Sequence, residues 1–266
     1  MKNDGLPRFG AEDVIHIVSK LALDDATFLV GGQAVNLWAW IYKGRDPALD
    51  PHDPMTSRDL DYFGTFQAAQ AFADALDGTV SKPDSGTMNS PNTALVTAVW
   101  DGKKLEIDFL NGILGVSRRE LENGVSALSA AAMIDGKEVE VRVAIMHPVS
   151  CLKSRVANML SPATMRRDRV AWSQLHAAIA VLNCYLDDAL MDRDWKEAKT
   201  CIQAIATYLR SNSYGRQAKA ELGADLIDIL KRLEDRPEID ERYREKILRP
   251  MISVIEEKQA ARLERR

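Results

Sequence analysis

The hydrophobic positions change period partway along the chain. Up to about residue 147, short apolar runs of strand length alternate with helix-like stripes; beyond it apolar residues recur almost throughout at helical spacing. The pattern predicts an α+β chain, with a mixed sheet flanked by helices over residues 1–147 and an all-α helical bundle over 148–266.

Val14, Ile15, Val18, Leu21 and Leu23 mark a first helix, with Glu12 and Asp13 placed to favour its N-terminus. TFLVGG reads as a short buried strand ending in Gly31-Gly32, after which QAVNLWAWIYK resumes a helical stripe. The proline-broken stretch GRDPALDPHDPMTSR argues against regular structure until DLDYF, a second strand. FQAAQAFADAL follows as an alanine-rich helix. TALVTAVW and KKLEIDFL then form an antiparallel hairpin about Asp101-Gly102. KEVEVRVAIM, after Asp135-Gly136, is one more strand. Past it the pattern predicts helices at roughly 149–161, 163–187, 192–210, 216–234 and 238–264, with Pro250 interrupting the last.

Composition narrows the class without naming a function. The 266 residues are 46% hydrophobic and 28% charged, with a net charge of −4, which excludes a disordered, collagenous or coiled-coil chain. The start, MKNDGLPRFGAED, lacks the basic and apolar regions of a signal peptide, and no run approaches the ~20 apolar residues of a membrane span. A cytoplasmic protein is expected. Cys151, Cys184 and Cys201 form no CxxC pair and read as reduced core residues, not as a disulfide frame or a zinc site.

The candidate chemistry lies in the strands. Alternate side chains of a strand share a face, so Asp59 and Asp61 point the same way, as do Glu106 and Asp108 opposite the apolar Leu105, Ile107 and Phe109. If the two strands are neighbours, Asp59, Asp61 and Asp108 gather at one place. Crowded carboxylates repel one another, and a hard divalent cation relieves that repulsion. Magnesium takes oxygen ligands and is commonly shared with substrate phosphates. A glycine turn ahead of a helix, as at Gly31-Gly32, suits the approach of an anion. The plainer alternative is a solvated strand end beside an ordinary tight turn.

VGGQAVNLWAW, TSRDLDYF and LEIDFL together resemble the nucleotidyltransferase (DNA polymerase β-like) superfamily. Within it the chain is most similar to the AbiEii-type nucleotidyltransferases, many of them toxins of toxin–antitoxin pairs. The resemblance implies that Asp59, Asp61 and Asp108 are catalytic metal ligands for two magnesium ions, Asp108 serving as ligand or general base. It implies that Gly31, Gly32 and Ser57 line a nucleoside triphosphate, that Lys153 is the catalytic lysine on the helix after the sheet, and that Arg167-Asp168 is the later nucleotide-binding basic-Asp pair. Two positions depart from the pattern. Gln33 stands where many members carry Ser or Thr, and Arg169-Val170 where they continue with Asp-Leu.

The implied reaction is magnesium-dependent transfer of a nucleoside monophosphate to an acceptor hydroxyl, with release of pyrophosphate. Lys153, Arg155, Arg166, Arg167 and Arg169 against Asp168 make a basic stretch suited to a polyanion. The favoured acceptor is RNA, the 3′ end of tRNA in the toxin reading, with a cognate antitoxin as partner. A small hydroxyl compound, as in antibiotic-modifying members, and a nucleotide-binding protein without turnover are the alternatives.

Overall fold

The computed structural model describes residues 8–21, 26–50, 56, 59–83, 91–134 and 136–263. The chain divides into two compact units, Met1–Cys151 and Leu152–Arg266.

The first unit is built on a seven-stranded mixed sheet flanked by helices. In chain order it contains α1 (Ala11–Val18), β1 (Phe28–Val30), α2 (Gly31–Ile41), β2 (Asp59–Phe63), α3 (Phe66–Ala75), β3 (Thr79–Ser81), β4 (Asn92–Trp100), β5 (Lys103–Leu110), α4 (Arg118–Asn123), β6 (Val125–Ile134) and β7 (Lys137–Met146). A helix α5 (Pro148–Leu160) follows, and the division between the units falls in its first turn. The strand order is β3-β4-β5-β2-β1-β7-β6. β2 pairs parallel to β5 and antiparallel to β1, and β1 pairs parallel to β7.

Asp101 and Gly102 both take positive φ, +48° and +70°, and pair Trp100 with Lys103, which is the geometry the tight hairpin between β4 and β5 requires. Leu60, Tyr62, Leu105, Ile107 and Phe109 form the buried face of β2 and β5. Phe72 of α3 meets the Tyr62 and Phe109 rings edge-on, at 4.9 and 5.0 Å between centroids. Each such side chain, fully buried, contributes about 1.5–3 kcal/mol of transfer free energy, so this layer fixes β5 beside β2.

Several features differ from the sequence reading. The first helix stops at Val18, with Leu21 buried just past its end and Leu23 outside the described residues. β6 is a full strand paired along its length with β7, although its Ala- and Ser-rich sequence, VSALSAAAMI, has little β preference; pairing with β7 and burial of Leu128 and Ala130 outweigh that deficit. A short edge strand, β3, also pairs with β4.

The second unit is helical. α6 (Arg169–Met191), α7 (Trp195–Ser211), α8 (Ser213–Leu222), α9 (Asp228–Lys231) and α10 (Glu241–Tyr243) lead through a π-helical turn at Arg244–Leu248 into α11 (Arg249–Leu263). α6 starts six residues later than the expected 163, because Asp168 caps it: its Oδ1 accepts from the Ala171 N–H at 2.8 Å. Pro250 does not split the last helix. It sits in the first turn of α11, directly after the π-helical turn, where a missing N–H donor is tolerated. All three cysteines are buried thiols outside any disulfide. Among the described residues, no helix is long and apolar enough to cross a membrane.

Candidate metal centre

Parallel pairing of β2 with β5 sets Asp59 opposite Glu106 and Asp61 opposite Asp108. Residues paired in this way point to the same face, so the strands that bury Leu60, Tyr62, Ile107 and Phe109 on one side present four acids on the other. Asp59, Asp61 and Asp108 each place a carboxylate oxygen within 4.8 Å of the others, and all three are half-buried. Burial holds the Asp108 carboxyl above the ordinary carboxylate range, and the charges of Asp59 and Glu106 push it further up. Glu106 stands at the rim, where Lys104 pairs with it at 2.6 Å.

Asp108 is also held in place. Asn92, the first residue of β4, donates from Nδ2 to Asp108 Oδ1 at 3.0 Å. The register of β4 against β5 shifts between Asn92 and Ala94, and this irregularity accompanies the turn of the Asn92 amide towards the acid. Sequence reasoning missed Asn92. The signal available was a lone polar amide, after a proline, at the head of a β-rich run.

Gly31 and Gly32 open α2 directly from β1, and the two glycines have different settings. Gly31 has φ +67°, and a Cβ there would lie 1.9 Å from Asp61 Oδ2. Its lack of a side chain therefore makes room for Asp61 itself. Gly32 is half-buried in the first turn of α2. Gln33 faces inward: its Nε2 donates to the Phe9 carbonyl at 2.9 Å and its Oε1 accepts from Asn36 at 3.0 Å. This side chain thus ties α2 to the chain before α1.

Ser57 lies outside the described residues. Lys153, Arg167 and Asp168 belong to the second unit. Lys153 is buried on α5 with its ammonium over the Tyr208 ring, 5.6 Å from the centroid. Arg167 is exposed and donates from Nε to the Met159 carbonyl at 3.1 Å. Asp168, besides capping α6, pairs with Arg166 at 3.3 Å. The Ala171 N–H, followed by the Arg166 charge, holds its carboxyl below the ordinary range despite slight desolvation. The expected five-residue basic stretch is not one exposed patch: Arg166, Arg167 and Arg169 are exposed, but Lys153 is buried and Arg155 is half-buried, donating to Gln174 at 2.8 Å.

The donor set suits a hard cation. Three converging carboxylates, one of them disfavoured as an anion by its surroundings, supply only oxygen and gain from an added positive charge. An open-sided pocket of about 700 Å³ lies at the far end of β1 and β2 from the glycines, with Phe28 and Phe63 among its lining. No family model matches the chain, and neither a curated protein nor a solved structure matches it.

Proposed function

We propose that the chain is a magnesium-dependent nucleotidyltransferase, which transfers a nucleoside monophosphate from a nucleoside triphosphate to an acceptor hydroxyl. The observation that carries this reading is the convergence of Asp59, Asp61 and Asp108 from two parallel strands, with Gly31 opening a helix against Asp61.

Asp59, Asp61 and Asp108 would hold the magnesium, which when bound would neutralise charge on the triphosphate and on the departing pyrophosphate. The first-turn N–H groups of α2 are suited to the phosphate oxygens, because their donors and the helix dipole favour an anion. The acceptor oxygen forms a bond to the α-phosphorus as the bond from that phosphorus to the bridging oxygen breaks. Pyrophosphate leaves with the electron pair. The hydroxyl proton goes to Asp108 as general base, and the hydrogen bond from Asn92 keeps that carboxylate oriented. Positioning and electrostatics carry such a reaction, so few groups suffice.

The acceptor in this reading is RNA, the 3′ end of tRNA, with the chain acting as the toxin of a toxin–antitoxin pair; the exposed Arg166, Arg167 and Arg169 supply charge suited to a polyanion. A second reading, a nucleotide-binding protein without turnover, draws on the inward Gln33, which leaves no side chain at that position for a phosphate. One experiment separates them. The protein is incubated with total RNA, magnesium and each α-labelled nucleoside triphosphate. Label should enter RNA, and Asp59→Ala or Asp61→Ala should reduce the rate at least about a hundredfold. Equal transfer by wild type and variants would sink the acid-centred mechanism, and triphosphate binding without pyrophosphate release would favour the second reading.

A further inference from the structure

On α8, Arg216, Lys219 and Ala220 are three and four residues apart and so share a face; on α11, Gln259 and Arg262 are three apart and do the same. These five residues line one narrow cleft within the second unit. Its open volume, about 10 Å³, admits roughly one water-sized group.

Two observations separate this cleft from an ordinary solvated face. The first is charge. Three cations border it, and Lys219 pairs with Asp225 at 2.5 Å, whereas the side chains of Arg216 and Arg262 have no ion-pair or hydrogen-bond partner among the described residues. Lys219 and Arg262 lie in the last turns of their helices, where the negative end of the dipole favours a cation. Arg216 is the fourth residue of α8, near the positive end, so the dipole does not account for it. The second observation is Gln259. It is only 9% exposed, and its side-chain amide has no hydrogen-bond partner among the described residues. An amide set that deep forgoes most of its hydration and gains from a ligand that replaces it.

The donors select the ligand. Two guanidiniums, an ammonium and an amide all supply N–H groups, which calls for an anion with enough oxygens to be shared among them. A tetrahedral phosphate group can turn separate oxygens to the two helices while a further one enters the cleft; a planar carboxylate has only two. The size of the cleft agrees with this. One oxygen fits inside, and the phosphorus stays at the mouth, which Arg216 and Arg262 border.

We infer that this cleft is a phosphate-group site, its anion held by Arg216, Lys219 and Arg262 and by the Gln259 amide. The site lies wholly in the second unit and does not rest on the nucleotidyltransferase reading, so it is tested without triphosphate or magnesium. Inorganic phosphate and a nucleic-acid backbone present the same group, and the experiment separates these sources. Binding of inorganic phosphate, of a short oligouridylate and of an oligoglutamate of equal charge is measured by NMR titration at one ionic strength, with thermal melting as the check on folding. The full chain is compared with Arg216→Gln, Arg262→Gln, Gln259→Leu and a control, Lys258→Gln, which removes the same charge from an exposed position of α11 outside the cleft.

Wild type should bind at least one phosphate ligand, and each arginine variant should weaken that binding about tenfold or more, the scale of a lost charge-assisted hydrogen bond. Lys258→Gln should change it by about twofold or less, as expected of a surface charge that touches no ligand. Gln259→Leu should weaken binding yet melt at or above the wild-type temperature, because it removes a buried amide that has no protein partner; a merely structural role for Gln259 predicts the opposite. Oligouridylate binding that depends on the arginines, with none of inorganic phosphate, assigns the site to a nucleic-acid backbone. Binding of inorganic phosphate, with oligouridylate insensitive to the variants, assigns it to a free anion. No saturable binding of either, equal losses in Lys258→Gln and Arg216→Gln, or tighter binding of oligoglutamate overturns the inference.

Discussion

Asp61 and Asp108 are register partners on adjacent parallel strands, and the sheet holds them side by side on one face. Parallel partners cannot move apart without breaking the ladder, so their mutual repulsion is built into the first unit.

The first consequence concerns stability. The folded protein raises the proton affinity of Asp108, so this group's contribution is full below the unfolded carboxylate range, about pH 4, and is lost as pH rises through its higher folded value. Asp108→Asn removes that loss while its side-chain oxygen still accepts from Asn92. In metal-free protein the variant should melt higher than wild type near neutral pH, with the difference shrinking towards pH 4. Calorimetry across that range checks the sign, and a variant that melts lower at neutral pH would refute it.

Gly31 answers to Asp61. A β-carbon at φ +67° costs about 1–2 kcal/mol in backbone strain alone, and here it also strikes the Asp61 carboxylate. Gly31→Ala should destabilise by more than about 1 kcal/mol and abolish Mn²⁺ binding. The cost should be smaller in an Asp61→Ala background, where Cγ and both oxygens are gone. Denaturant melts of the four proteins in this cycle measure the coupling.

Asn92 orients an acid without belonging to the acid set. Asn92→Ala should weaken Mn²⁺ binding about 10–100-fold, the usual effect of losing such a supporting hydrogen bond, and should leave the melting temperature nearly unchanged. Asn92→Asp should lower the melting temperature of the metal-free protein, since it adds a further charge to the group. Electron paramagnetic resonance titration of Mn²⁺ reads the first effect and thermal melting the second.

Asp168 serves as a helix cap. Asp168→Ala should destabilise by about 1 kcal/mol, and Asp168→Asn, which can still accept from Ala171, should restore most of it. Because the folded protein holds the Asp168 carboxyl low, its contribution is present above about pH 4 and lost as pH falls through the depressed value. If Asp168→Asn keeps stability but loses nucleotidyl transfer, the carboxylate acts in catalysis as well.

How much of this was legible in the sequence depends on the range of the force involved. Period-two alternation is local, so the shared face of Asp59 and Asp61 and the polar side of Asp108 could be read directly. The tight hairpin at Asp101-Gly102 was equally local. That β5 lies next to β2 was only a condition in the sequence, since lateral strand order is set by burial of Tyr62, Phe72 and Phe109 from distant segments. β6 escaped notice because its stabilisation comes from pairing and burial against the rest of the sheet and not from local β preference. Asn92 and Gln33 owe their settings to partners far along the chain, Asp108 and Phe9, which no local pattern reports.

The pairing of β2 with β5 also bears on when the acids meet. α3, β3 and β4 lie between the two strands in the chain, so this parallel contact closes a long loop and carries the entropic penalty of non-local pairing. The unfolded chain keeps Asp59 and Asp61 far from Asp108, and the three acids exist as a set only once that closure is complete. A divalent cation that binds the set therefore acts on the folding equilibrium, adding about 2.7 kcal/mol when present at a hundred times its dissociation constant. Chelation during purification would withdraw that support, leaving a protein whose sheet is most vulnerable at the seam between its two acid-bearing strands.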